Sequence, residues 1–186
     1  MKDQKPLFVD LDGTLISDDL SNLAFIAYLK KNPLKTLFYL FMFLFFGKAY
    51  LKEKISNNFN IPFNKLKFNK SCIDHIFMEK NKNRPVYLIS GSHQILVDQI
   101  QIYLNLFDKV YGTYENFNMV GINKIRHIND NLNYKYFDYI GNSKKDLPIW
   151  NYTKNIIFTN VSADLRKTIK NKKINQFEIK ANFKIL

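Results

Sequence analysis

The chain has 186 residues, 46% hydrophobic and 24% charged, which excludes a disordered or fibrous chain and leaves room for one domain with a sizeable core and an inserted cap. A net charge of +12 favours anionic partners: phosphorylated metabolites, acidic lipid surfaces or, on charge alone, nucleic acid. Much of the lysine is scattered among asparagine, as in Lys80-Asn81-Lys82-Asn83, and Cys72 is the sole cysteine, which excludes an intrachain disulfide and a cysteine metal site.

Pro6-Leu7-Phe8-Val9 reads as a short buried strand, too short and too soon broken by acids to be a secretory signal; with the single cysteine, this makes a reducing cytoplasm the expected compartment. The strand runs into Asp10-Leu11-Asp12-Gly13-Thr14. Side-chain alternation sends Asp10 and Asp12 to the same side, where two like charges are costly unless a cation lies between them. Gly13 permits a tight turn and Thr14 offers it a hydroxyl. Such a pair suits phosphoryl transfer: one carboxylate attacks phosphorus, the other moves the leaving-group proton, and Mg2+ offsets the repulsion. A calcium loop would need further oxygen ligands and a closing Glu, which Leu15-Ile16-Ser17-Asp18 does not begin to supply.

Ser17-Asp18-Asp19 offers caps for a helix carrying Leu23, Ile26 and Ala27 up to Lys30-Lys31, and Asn32-Pro33 ends it and opens another. Residues 34–46 are then apolar nearly all round but short of the roughly 20 residues of a membrane-spanning helix. Two readings remain: a helix packed inside a helical cap, or an apolar surface touching a bilayer or a lipid-linked substrate, flanked by Lys30, Lys31, Lys35, Lys48, Lys52 and Lys54. Another helix is expected over 48–56, and a further one from Ile61-Pro62 through Ile73, Ile76 and Phe77.

Val86-Tyr87-Leu88-Ile89 is a second strand running into Ser90-Gly91-Ser92, where a hydroxyl and free N–H groups at a helix start would cradle phosphate; His93 falls in that helix's first turn. A third strand is expected over 107–112, and Lys124 lies just beyond Gly121. A fourth strand, 135–140, leads into Gly141-Asn142-Ser143-Lys144-Lys145-Asp146, whose four-residue spacing lets a turn bring Asn142 and Asp146 towards a metal. A fifth strand over 155–160, a helix over 162–170 and an edge strand near 176–179 complete an alternation that implies a parallel sheet with its ligands at the C-terminal strand ends.

With these four strand ends the chain resembles the haloacid dehalogenase-like (HAD) phosphatases, in the phosphoserine phosphatase-like branch, over nearly its whole length. The resemblance implies an α/β Rossmann-like core over 1–16 and 85–186 and an all-helical cap over 17–84. It implies Asp10 as nucleophile and Asp12 as general acid/base, Ser90, the Gly91 amide and Lys124 on the phosphoryl group, and Mg2+ held among Asp10, the Leu11 carbonyl, Asp12, Asn142 and Asp146. The aromatic helix and the stretch from Gly141 to Trp150 look closest to phosphatase-like domains associated with UbiA-type prenyltransferases. Two positions depart from the pattern: Asn142 where a second Asp is common, and Val120 where the lysine often stands. The implied activity is Mg2+-dependent hydrolysis of a small or lipid-linked phosphomonoester, such as a sugar phosphate, in the cytoplasm or peripherally at the inner membrane surface through the cap. The alternative is a catalytically weak binding or regulatory module partnering a membrane prenyltransferase.

Overall fold

The computed structural model describes residues 5–172 and 174–186; residues 1–4 of the expected core interval lie outside it. Its strands are β1 (Leu7–Val9), β2 (Phe68–Asn69), β3 (Val86–His93), β4 (Lys109–Thr113), β5 (Asp138–Gly141), β6 (Asn155–Thr159), β7 (Asn175–Ile179) and β8 (Phe183–Lys184). The helices are α1 (Leu20–Lys31), α2 (Pro33–Ser56), α3 (Lys70–Asn81), α4 (Gln94–Leu104), α5 (Ile122–Arg126), α6 (Leu147–Trp150) and α7 (Ala163–Lys170). Six strands form one parallel sheet in the order β4-β3-β1-β5-β6-β7, while β2 and β8 pair antiparallel as a separate ribbon.

The three residues of β1 are fully buried, as expected of a strand covered on both faces. Leu7 and Val9 join one apolar cluster with Leu20 and Ala24 of α1, Cys72, Ile73 and Ile76 of α3, and Leu96, Val97 and Ile100 of α4. Phe8 points the other way, into a second cluster with Tyr139, Ile125 of α5, Trp150 of α6 and Leu165 of α7. Chain order runs outward from β1 through β3 to β4, then returns to β5 on β1's other side, so the order reverses between β1 and β5. Crevices in open parallel sheets form outside the strand C-termini at such a reversal, which is where Asp10 and the Asn142–Asp146 turn lie.

At the opposite end of the sheet, Arg84 donates to Glu79 at 2.7 Å and to Asp138 at 2.5 Å, and Lys5 reaches Asp138 at 2.6 Å. Burial alone would push the Glu79 carboxyl up, but hydrogen bonds from Arg84 and Lys82 hold it below the usual carboxylate value.

The expected cap interval, 17–84, contains α1, α2, β2 and α3, the last packed in the same cluster as β1. Asp19 caps α1 by accepting from the Asn22 N–H at 2.9 Å. The two helices expected on either side of Gly47 form α2, broken at that glycine, whose φ of 76° and ψ of −174° are outside the helical region. By length and composition α2 could cross a membrane, yet only 11% of its most apolar stretch is buried. The cap-core reading of residues 34–46 is therefore corrected. Thr36 and Tyr39 face α1, whereas Leu34, Leu37, Phe38, Phe41, Leu44 and Phe45 face solvent. A second correction concerns the helix expected from Ile61: turns and β2 intervene, and α3 begins only after Asn69, whose side chain accepts from the Cys72 N–H. Asn69 also donates to the Thr14 carbonyl and Thr159 hydroxyl, fixing β2 beneath the first turn.

Candidate active site

β1 ends at Val9 because Asp10, although its N–H still bonds to the Ile140 carbonyl, starts a turn tightened by the Leu11 carbonyl. That carbonyl, a metal ligand by the resemblance, accepts from the Thr14, Leu15 and Ile16 N–H groups and so is engaged inside the turn. Gly13 sits at φ +75°, so glycine is favoured by conformation, and a Cβ on it would lie 2.1 Å from the Asn142 amide nitrogen and push that side chain aside. The Thr14 hydroxyl, expected to brace this turn, is buried without a hydrogen-bond partner.

The two acids line one cleft of about 410 Å³, but their carboxylates diverge. Asp10 Oδ1 accepts from Lys124 Nζ at 2.6 Å. Asp12 turns towards β3 and α1: its Oδ2 accepts from the Ser90 hydroxyl at 3.1 Å and the Ser92 hydroxyl at 2.9 Å, and its Oδ1 from the Leu20 N–H at 2.9 Å. Burial pushes the Asp10 carboxyl up to about 7, against the pull of Lys124 and with Asp146 adding to the rise. Burial raises Asp12 as well, against the Leu20 N–H and the two serine hydroxyls.

Lys124 reaches the site although it follows Gly121 by a full turn. Gly121, at φ +56°, precedes α5, and the first turn of that helix carries Lys124 inward, where it is 4% exposed. Its ammonium also donates to the Tyr139 hydroxyl at 2.8 Å, and Tyr139 in turn donates to Asp146 Oδ1 at 2.8 Å. Burial, reinforced by Asp10 and Asp146, holds the Tyr139 phenol well above its ordinary value, so it stays protonated and can bridge the two. Asp146 Oδ2 accepts from the Asn142 and Ser143 N–H groups and the Ser143 hydroxyl at 2.9–3.1 Å. Gly141 makes room for this seat, since a Cβ there would lie 2.7 Å from both the Asp146 carboxyl carbon and the Tyr139 ring.

Ser90 is fully buried and Gly91 lines the cleft, but the expected helix start at Ser-Gly-Ser is corrected. β3 continues through His93, whose Nδ1 accepts from the Ile95 N–H at the start of α4. Gly91 is confined by Val120, whose Cγ2 would be 2.8 Å from a Cβ. The cleft also receives Lys52 from the second length of α2, donating to the Gly91 carbonyl and to Asn118 Oδ1. Burial pushes the Lys52 ammonium down to about 8, with Asp12 and Asp19 opposing. Sequence reasoning missed Lys52 and Tyr139 as site residues, and it counted Ser92 only as part of the loop.

Of the five expected metal ligands, Asp10, Asp12, Asn142 and Asp146 line the cleft, Asp12 with its carboxylate on Ser90, Ser92 and the Leu20 N–H, while the Leu11 carbonyl lies within the turn. Among the described residues, no three acidic, histidine or cysteine side chains converge on a point that could hold a metal ion. What remains fits a hard cation that keeps much of its water: Asp10 Oδ2 faces the cleft without a protein donor, and the Asn142 side chain lies alongside.

No family model matches the chain. Over 148 residues, 78% of this chain, it is 30% identical to the uncharacterized protein y4nM of Sinorhizobium fredii, and it spans 28% of that protein's length. Among solved structures, a Bordetella pertussis protein of unknown function matches with a TM-score of 0.66 at 12% identity, over 95% of this chain and 99% of that one. A HAD-superfamily hydrolase from Ehrlichia chaffeensis matches with 0.54 at 16%, over 95% and 92%. A phosphoserine phosphatase, solved as an analogue of its phospho-aspartyl intermediate, matches with 0.56 at 16%, over 97% and 96%. The likeness is one of fold: an α/β Rossmann-like core shared with HAD-superfamily hydrolases.

Proposed function

We propose that the protein is a phosphohydrolase cleaving phosphomonoesters through a phosphorylated Asp10. The observation that carries this reading is the Asp10 carboxylate at the end of the central strand, with Oδ1 fixed by Lys124 at 2.6 Å and Oδ2 open to the cleft. Oδ2 attacks phosphorus and the bond to the leaving oxygen breaks. Asp12, whose carboxyl burial pushes upward, is the acid that delivers a proton to that oxygen. In the second half, Asp12 takes a proton from water as the water oxygen attacks the acyl phosphate, releasing inorganic phosphate and restoring Asp10. Lys124 faces the charge that builds on the phosphoryl oxygens. Tyr139 keeps Lys124 and Asp146 in register. Asp10, Asn142 and Asp146 would hold Mg2+, which supplies neutralisation of the phosphoryl charge.

Lys48, Lys52 and Lys145 add positive charge around the cleft, which suits an anionic substrate, and a lipid-linked or sugar phosphate is the class we assign. The test is hydrolysis of p-nitrophenyl phosphate in Mg2+ by the wild type and by Asp10→Asn, paired with acid-stable labelling of the protein by a phosphoryl donor. The wild type turns over and labels; the variant loses at least about a thousandfold in kcat and does not label. Activity retained in Asp10→Asn overturns the proposal. A wild type that binds phosphate in the cleft but fails on a broad substrate panel supports the other reading, a regulatory module beside a prenyltransferase, which the engaged Asp146 carboxylate and the amide at Asn142 favour.

A further inference from the structure

The first length of α2, residues 33–46, presents apolar side chains at 34, 37, 38, 41, 44 and 45, the i, i+3, i+4, i+7 spacing that normally marks the face a helix buries. Here that face is turned outward: Leu34 is 83% exposed, Leu44 73% and Phe45 69%. The opposite face is the packed one, with Thr36 buried and Tyr39 tilted against Tyr28 and edge-on to Tyr50. An exposed apolar stripe of this length is unusual on a soluble monomer.

The charges around the stripe identify its partner. No acidic residue occurs between Asp19 and Glu53, whereas Lys30 and Lys31 end α1, Lys35 follows on the first turn of α2 and Lys48 stands just past the break. Two copies pairing through this face would set lysine against lysine with no acid of the segment to answer them. An anionic lipid surface supplies both an apolar layer and negative headgroups. The helix cannot span that layer from here: its fourteen residues before Gly47 rise only about 21 Å, against about 30 Å of hydrocarbon. Beyond Gly47, Ala49, Ile55 and Ser56 are buried in the fold and Lys52 is bonded in the cleft.

We infer that the outward face of residues 33–46 docks on an anionic bilayer, lying in the plane of its interface with Lys30, Lys31, Lys35 and Lys48 among the headgroups. Because Lys48 also lines the cleft, docking sets the mouth of the site beside the lipid surface.

Co-sedimentation of the full chain with phosphatidylcholine–phosphatidylglycerol vesicles and with pure phosphatidylcholine vesicles tests this without reference to activity. Binding is expected to the mixed vesicles, weakened on the order of tenfold between about 0.05 and 0.5 M salt. The double variant Phe41→Ser/Phe45→Ser, altered only at exposed positions, loses binding by at least roughly a hundredfold while its circular dichroism and melting temperature hold. The triple variant Lys30→Glu/Lys31→Glu/Lys35→Glu keeps the stripe and still loses on the order of a hundredfold on the mixed vesicles. The inference is overturned if mixed vesicles do not pull the protein down, or if neither variant changes binding. It is equally overturned if the serine variant abolishes a dimer and the wild type ignores lipid, which assigns the face to a second copy, or if the protein resists alkaline extraction, which marks a spanning helix.

Discussion

At the N-terminal end of the sheet, Lys5, Glu79, Arg84 and Asp138 are joined by ion pairs of 2.5–2.7 Å; at the C-terminal end, Lys124 joins Asp10 and Tyr139, and Tyr139 joins Asp146, over 2.6–2.8 Å. Each network ties a neighbour of β1 to a residue of β5, Lys5 to Asp138 at one end and, through Lys124, Asp10 to Tyr139 at the other. They differ in how completely they are satisfied. Both oxygens of Asp138 and both of Glu79 have a basic partner, whereas Asp10 keeps one oxygen facing a cleft and its carboxyl is raised. A closed network holds the chain together; one left open at a single atom stores reactivity there.

The comparison predicts that substitutions at the closed end lower stability and those at the open end lower turnover. The largest effect is expected from Arg84→Ala, which leaves one oxygen each of Glu79 and Asp138 without its basic partner and costs about 3 kcal/mol in urea unfolding, with little change in kcat for the protein that remains folded. The Glu79 carboxyl is depressed in the folded state, so its stabilisation is present above the ordinary value of 4.5 and fades as pH falls through the lower folded one. Melting curves between neutral pH and about pH 3 should therefore be flatter for Arg84→Ala than for wild type over that acid window.

At the open end, Lys124→Met should lower kcat/KM by about a hundred- to a thousandfold on an aryl phosphate, while the melting temperature changes little because Asp10 can protonate when its partner is gone. Tyr139→Phe removes the bridging hydroxyl and fills the same volume. It should cost about tenfold in kcat, and a loss confined to stability would show that the bridge is only packing. The smallest effect concerns Lys52. Its ammonium is held down to about 8, so it is charged below that pH and neutral above it, and KM for an anionic substrate should rise severalfold through about pH 8. Lys52→Met should flatten that limb.

The open end was legible in the sequence because its acids interrupt apolar strands: nothing in a buried strand calls for Asp10, Asp12 or Asp146, and the glycines beside them mark turns. Lys124 was legible only through the resemblance, since a lysine one turn past Gly121 has no local signature. Tyr139 was invisible for a different reason. In Tyr136-Phe137-Asp138-Tyr139-Ile140 it alternates with the strand period like any core aromatic, and only the placement of α5 and of the turn after β5 gives its hydroxyl the partners Lys124 and Asp146. The direction of the apolar stripe could not be read either, because its periodicity is the same whether the face turns inward or outward. The three N–H groups that share the Leu11 carbonyl were equally out of reach, because they belong to the turn's geometry and not to any residue type.

Gly47 separates two tasks that a straight α2 would force together. Its backbone angles suit glycine almost alone, yet no atom lies within 4 Å of where a Cβ would stand, so the break is kept by torsion and not by crowding. The aromatic length can therefore be rewritten with polar residues while the lysine-bearing length stays seated, which offers a rational route to a more tractable variant for crystallisation. An alanine in place of Gly47 would favour an unbroken rod and move Lys48 and Lys52 relative to the cleft they now line.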